Sequence, residues 1–182
     1  MFGFSTVTFA ETDKQSTATI EFQADPDANK LELITALSID FGIKDLPTGA
    51  ATYTATTVSG ILSVQDTRGL AEAGWETTAK MGYFNSGSVT NTAVGATLTL
   101  SNGTLSTDGV DANRPVLENS IALTAGSDSA VPVMSAEPTY GVGIWDVQWA
   151  PANVTLNLLE TPVRGVNTAV IDWVIVSDPD TP

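Results

Sequence analysis

Ile144-Trp145-Asp146-Val147-Gln148-Trp149 sets Trp145, Val147 and Trp149 at alternate positions, with Asp146 and Gln148 between them. Side chains on an extended strand point alternately to opposite faces, so this stretch predicts a β-strand with one apolar and one polar face. Trp145 and Trp149 are expected to be structural aromatic core. The period continues at Val154, Leu156 and Leu158, set against Thr155 and Asn157. Similar runs occupy 17–22, 52–58, 61–64, 75–81, 96–100 and 116–123. Residues 169–176 are apolar on both faces except for Asp172, the pattern of a central strand covered on both sides. Helical spacing is plausible only over 29–37, where a strand or loop serves equally well. Turn signals such as Pro47-Thr48-Gly49, Asn102-Gly103 and Asp108-Gly109 recur at short intervals. The expected fold is all-β: a single antiparallel β-sandwich or flattened β-barrel with minimal helix. One domain is expected over 1–182, with 1–16 and 178–182 as loose ends.

Composition narrows the function by exclusion. The chain has 182 residues and is 42% hydrophobic, with a mean hydropathy of +0.11, enough for a core. Seven basic residues against 21 acidic ones give a formal net charge of −14. A surface of that sign repels nucleic-acid phosphates and anionic lipid headgroups, so neither is an expected partner. The absence of cysteine removes disulfides and thiolate chemistry, and the absence of histidine removes a Ser-His-Asp triad and imidazole metal ligands. The acidic residues fall mostly in turn-like segments, and no pattern marks a catalytic carboxylate pair. The protein is therefore expected to be non-catalytic and without a cofactor. No apolar run approaches the roughly 18 residues of a spanning helix, so direct membrane insertion is not expected. Met1-Phe2-Gly3-Phe4-Ser5 lacks a basic start and an apolar stretch, so Met1 is expected to stand where an export signal was removed. With no sorting motif or apolar tail before Pro182, anchoring is expected to be non-covalent.

Several local patterns then follow in a fixed order. Asp40-Phe41-Gly42 leads to Leu62-Ser63-Val64-Gln65-Asp66-Thr67-Arg68-Gly69, followed by Gly74-Trp75. Later come 98–103, ending in Asn102-Gly103, and 132–136, which begins Pro132-Val133. Gly141-Val142-Gly143-Ile144-Trp145, Asn153-Val154-Thr155-Leu156 and Asp172-Trp173-Val174-Ile175 complete the series. In this order the chain resembles the WxL domain of Gram-positive cell-surface proteins. The resemblance implies an extracellular, cell-wall location and non-covalent association with peptidoglycan. It also implies partner surface proteins, such as a WxL-interacting protein. The Trp-x-Leu motif is altered twice: Trp75-Glu76-Thr77 loses its aliphatic member, and Trp173-Val174-Ile175 exchanges it for isoleucine.

On a strand, Trp-x-aliphatic sets an indole and an apolar group on one face. Burial in the core is one outcome; an exposed shelf for sugar rings or a partner is the other. Trp75 and Trp173 are the expected exposed pair, and Ile175 accompanies them as a wall or partner contact. Arg68 has two readings as well. It either bridges Asp66 within a strand-to-loop turn or grips a carboxylate of a peptidoglycan stem peptide. Asp25, Asp27 and Asn29 match the first spacings of a calcium loop, but Lys30 stands where its glycine belongs, leaving at most a weak site. Asp108, Asp111 and Asn113 form a similarly weak cluster, and no metal is expected. Two alternatives of other classes remain: a soluble β-sandwich carbohydrate-binding module, and a pilin-like or virion structural subunit.

Overall fold

The computed structural model describes residue 20 and residues 30–69, 74–108 and 111–177. Its strands in chain order are β1 (Leu31–Thr35), β2 (Ser38–Asp40), β3 (Ala51–Thr54), β4 (Thr57–Ser59), β5 (Leu62–Asp66), β6 (Trp75–Met81) and β7 (Thr97–Ser101). They continue with β8 (Thr104–Thr107), β9 (Val116–Leu117), β10 (Ser120–Thr124), β11 (Val131–Ala136), β12 (Gly143–Gln148), β13 (Val154–Leu158) and β14 (Ile171–Ser177). Three sheets have four strands each, ordered β1-β5-β12-β8, β10-β7-β13-β3 and β14-β6-β11-β9, and β2 pairs with β4 in a two-stranded ribbon. Every pairing is antiparallel, and no sheet closes on itself among the described residues. The fold is an all-β sandwich of open sheets rather than a flattened barrel. Among the described residues, no strand pairs with its immediate neighbour in sequence.

The core follows from the alternation. Trp145 lies opposite Val64 and Val147 opposite Leu62, and all four are buried. On the polar side of the same pair, the Ser63 hydroxyl donates to the Asp146 carboxylate, so the polar positions are satisfied across the strands. Leu98, Leu100, Ile121, Leu123, Val154, Leu156 and Leu158 fill the second sheet's inner face. Trp75, Ala79, Met81, Val133 and Met134 come from the third, and all join one continuous apolar cluster. Burying one tryptophan removes roughly 150–250 Å² from water, or about 4–6 kcal/mol per ring before entropy is charged against it. Trp75, Trp145 and Trp149 are all buried.

Local hydrogen bonding explains where the strands break. The run 52–58 divides because Ala55 N–H donates to the Val154 carbonyl at 2.9 Å while Thr56 N–H donates to that of Asp40 at 2.8 Å. The chain thus leaves β13 for β2 within one residue. The run 116–123 divides likewise, since Glu118 N–H donates to Val133 while Asn119 accepts from Asn102 N–H. In β11 the pairing with β6 slips between Pro132 and Met134, beside a residue with no N–H to give. Within 30–37 the chain forms strand β1 at Leu31–Thr35, with Leu31 and Leu33 packed against the core.

The segment 169–176 is a correction. Among the described residues, its strand β14 lies at the edge of the third sheet, paired only with β6. Ile171, Trp173 and Ile175 pack against the core, whereas Val170, Val174 and Val176 are exposed. Apolar residues on both faces record composition; they do not reveal which neighbour covers the second face. Residues 17–19, 21–22, Asp25, Asp27, Asn29 and the expected loose ends at 1–16 and 178–182 lie outside the described residues.

Candidate functional site

Strand pairing brings the two altered tryptophan motifs together. In the β14–β6 register Trp173 lies opposite Ala79, Ile175 opposite Thr77 and Ser177 opposite Trp75. The third positions of both motifs are therefore direct partners on the inner face of one sheet. Trp75 is 1% exposed, which corrects the expectation of an exposed shelf at that position. The physical cause is the Gly-x-Gly segment. Gly141, at φ 73°, approaches so closely that a Cβ there would lie 2.6 Å from Trp75 Nε1. A residue without a side chain lets the backbone close over the indole. Trp173 and Ile175 are half-buried and turn toward the core.

Thr77 is fully buried, and its Oγ1 has no hydrogen-bond partner among the described residues. A buried hydroxyl without a partner carries a desolvation penalty of about 1–3 kcal/mol, and valine keeps its shape without the oxygen. Thr77→Val is expected to stabilise the protein by about 1 kcal/mol, raising Tm by roughly 2–4 °C for a domain of this size. Thermal unfolding followed by circular dichroism checks this; an unchanged or lower Tm would show that the hydroxyl is satisfied.

Arg68 is committed to structure. Its backbone N–H and Nε both donate to Asp66 Oδ1 at 3.0 Å, and its Nη2 donates to Oδ2 at 2.9 Å. Nη1 donates to Ser177 Oγ at 2.8 Å. Asp66 is buried, and the arginine side chain is 13% exposed. The guanidinium thus neutralises a carboxylate at the end of β5 and fastens the far end of β14 to it. Of the two readings of Arg68, the geometry is that of the bridge to Asp66 within the strand-to-loop turn, with the guanidinium fork spent within the fold.

A concavity lies elsewhere. A groove of about 1270 Å³ opens between two loops, above the range of roughly 300–1,000 Å³ usual for small-molecule sites. One lip follows β2 through 41–47, and the other is the 162–169 connection between β13 and β14. Leu98, Leu156, Leu158 and Met81 form an apolar floor, and Phe41, Tyr53, Phe84 and Trp173 add aromatic surface. The first lip is tied down at its base, where Thr56 Oγ1 donates to the Phe41 carbonyl at 2.9 Å and Gly42 N–H donates to Asp40 Oδ1 at 2.8 Å. The second is anchored by Val163 N–H on Thr92 and Thr168 N–H on Asn85. Asn167 Nδ2 braces it internally through the Val163 and Gly165 carbonyls at 2.9 and 3.0 Å. Trp173 also borders a smaller hollow of about 530 Å³ with Lys80, Asp128 and Asp172.

Of the wall or partner contacts expected from sequence, Trp173 lines the groove and Trp75, Ile175 and Arg68 do not, while the Asp40-Phe41-Gly42 motif forms part of its first lip. The lips carry no strand alternation. Their one sequence signal is the presence of Ile43, Leu46, Val163 and Val166 in segments punctuated by Gly and Pro, where polar residues are the rule. No group of three His, Cys, Asp or Glu is placed to hold a metal among the described residues, and no helix is long and apolar enough to cross a membrane.

Open antiparallel sheets, an Asp-Thr-Arg-Gly turn that ties β5 to β14 and a Gly-x-Gly closure over Trp75 place the chain in the all-β sandwich class. A family model described as WxL domain surface cell wall-binding matches residues 9–179. The chain belongs to this family and is a surface, cell-wall-associating protein. No curated protein and no solved structure matches it.

Proposed function

We propose that this chain is a single WxL-like domain of a Gram-positive cell surface, non-catalytic and held non-covalently to peptidoglycan. It works within a complex of surface proteins that includes a WxL-interacting protein. The observation that carries this reading is the family match over residues 9–179, nearly the whole chain.

The physics limits how the wall is held. At a net charge of −14, wall-polymer phosphates repel the protein. Attachment therefore rests on short-range contacts: stacking on sugar rings and hydrogen bonds. Among the four tryptophans, Trp173 is the one left half-buried at a concavity. Charge attraction fades beyond a Debye length of about 8 Å at physiological salt, whereas stacking is little affected. Sedimentation with purified peptidoglycan is expected to hold or rise with added salt, to survive a chelator, and to weaken in Trp173→Ala. Loss at high salt would establish charge attraction instead, and sensitivity to the chelator would establish bridging by divalent cations. If no condition brings the protein down with the wall, a partner protein is its sole anchor.

A further inference from the structure

Tyr83 follows β6 and is 50% exposed, yet its ring is firmly seated. It lies on Gly126, the third residue of a turn in which Ser127 N–H donates to the Thr124 carbonyl at 3.1 Å. A Cβ at Gly126 would run into Tyr83 Cε1, with its ring neighbours Cδ1 and Cζ at nearly the same distance. Only a contact on the face of the ring does that; one in the ring plane would leave Cδ1 and Cζ well behind. One face therefore rests on glycine backbone, at φ 71° where a side chain would be strained as well as in the way, and the opposite face is open. The backbone is pinned on both sides of the contact. Gly126 N–H donates to the Met81 carbonyl and Gly82 N–H to that of Val170, both at 2.9 Å, while Ala125 N–H donates to Ala96 at 2.8 Å. A flat aromatic ring held in advance loses little freedom when a ligand stacks on it.

The same turn leads into the hollow of about 530 Å³ beside Trp173. Asp128 lies two residues beyond Gly126, a span of at most about 7 Å. Ser129 N–H donates to Ser127 Oγ at 3.2 Å and braces the loop around it. The charged groups lining the hollow are Lys80, Asp128 and Asp172, all exposed, and no ion pair joins them among the described residues. This set suits no ligand of a single sign: an anion meets the two carboxylates, and a cation meets the ammonium. A neutral sugar can use all three, because its hydroxyls donate to carboxylates and accept from an ammonium. The open face of Tyr83 offers the apolar seat that the C–H face of a pyranose requires.

We propose that Tyr83 and this hollow form a seat for uncharged pyranoses of the wall's glycan strands. One sugar stacks on the tyrosine ring, and its neighbour is hydrogen-bonded by Lys80, Asp128 and Asp172. The inference rests on the wall-attachment reading above and names the sugar site.

Isothermal titration calorimetry of the full chain at physiological salt tests this directly, with the β-1,4-linked tetramer of N-acetylglucosamine as the probe. Saturable binding is expected, with the acidic tetragalacturonate and the basic glucosamine tetramer bound at least about tenfold more weakly. Tyr83→Ala is expected to lower affinity for the neutral tetramer at least about tenfold, while Tyr83→Phe stays within about twofold because the ring face does the stacking. Lys80→Gln combined with Asp128→Asn, both at exposed positions, is expected to weaken binding several-fold at an unchanged Tm. No saturable binding, equal affinity for the three tetramers, or tighter binding of a charged one would overturn the proposal. Parental affinity in Tyr83→Ala or in the double variant would overturn it as well. Peptidoglycan sedimentation separates the two readings. Tetramer binding without sedimentation sinks only the wall attachment; sedimentation undiminished in Tyr83→Ala sinks only the sugar seat.

Discussion

Arg68→Ala is expected to destabilise the protein by about 3–5 kcal/mol, as removal of one member of a buried ion pair does. The reason lies with the residue left behind. Asp66 is buried and takes three of its hydrogen bonds from Arg68, two from the side chain and one from the backbone. Alanine preserves the backbone donor alone and strands a carboxylate inside the fold. It also frees Ser177, at the end of β14, from its tie at 2.8 Å. Arg68→Lys is not expected to rescue, because one ammonium cannot supply a planar fork to two carboxylate oxygens. Asp66→Asn combined with Arg68→Met should recover part of the loss, since no unpaired charge then remains. Urea denaturation of the single and double variants checks both statements. An Arg68→Ala protein within about 1 kcal/mol of the parent would show that water reaches Asp66, against its burial.

Trp75→Ala is expected to cost about 3–5 kcal/mol, in the range for truncating a large buried ring. Gly141 lies against this indole and Ala136 is the cross-strand partner of Trp75, and the glycine's turn at φ 73° restrains the backbone from collapsing into the space left behind. Trp173→Ala, from a half-buried position on an edge strand, is expected to lose clearly less stability and to show its main effect in binding. Denaturation midpoints and wall sedimentation, measured on both variants, separate a buried anchor from a contact residue. Were Trp75→Ala to unfold at the parental midpoint while failing to bind, Trp75 would belong to the surface.

The period-two runs carried the fold class, because alternation is imposed by burial of one face and burial dominates strand energetics. Trp145, Val147 and Trp149 alternate in sequence for that reason, and all three are buried. The runs did not carry the sheets. Residues 52–58 read as one strand, yet two successive N–H groups at Ala55 and Thr56 bond to different partners. That choice depends on residues about 100 positions away for one and about 15 for the other, which no local window contains. Strands β2, β8 and β11 went unrecognised as strands. They are short or carry proline, and serine and threonine occupy many of their positions. The groove was illegible for a related reason. Its two lips, at 41–47 and 162–169, are loops with no periodic signature, and only the closed fold brings them face to face.

The absence of pairing between successive strands has a consequence in time. A β-sheet built from hairpins can begin to form while the rest of its chain is still being made. Here each four-stranded sheet has an interior strand from the last third of the sequence: β11 in one, β12 in another, β13 in the third. None of the three can assemble until that strand has emerged, and every closure spans a long loop whose entropy must be met first. Among the described residues, the first 130 therefore hold no complete four-stranded sheet, only the β2–β4 ribbon and the strand pairs β1–β5 and β7–β10. This order of assembly keeps the leading portion of the chain open until its last third is available to close each four-stranded sheet.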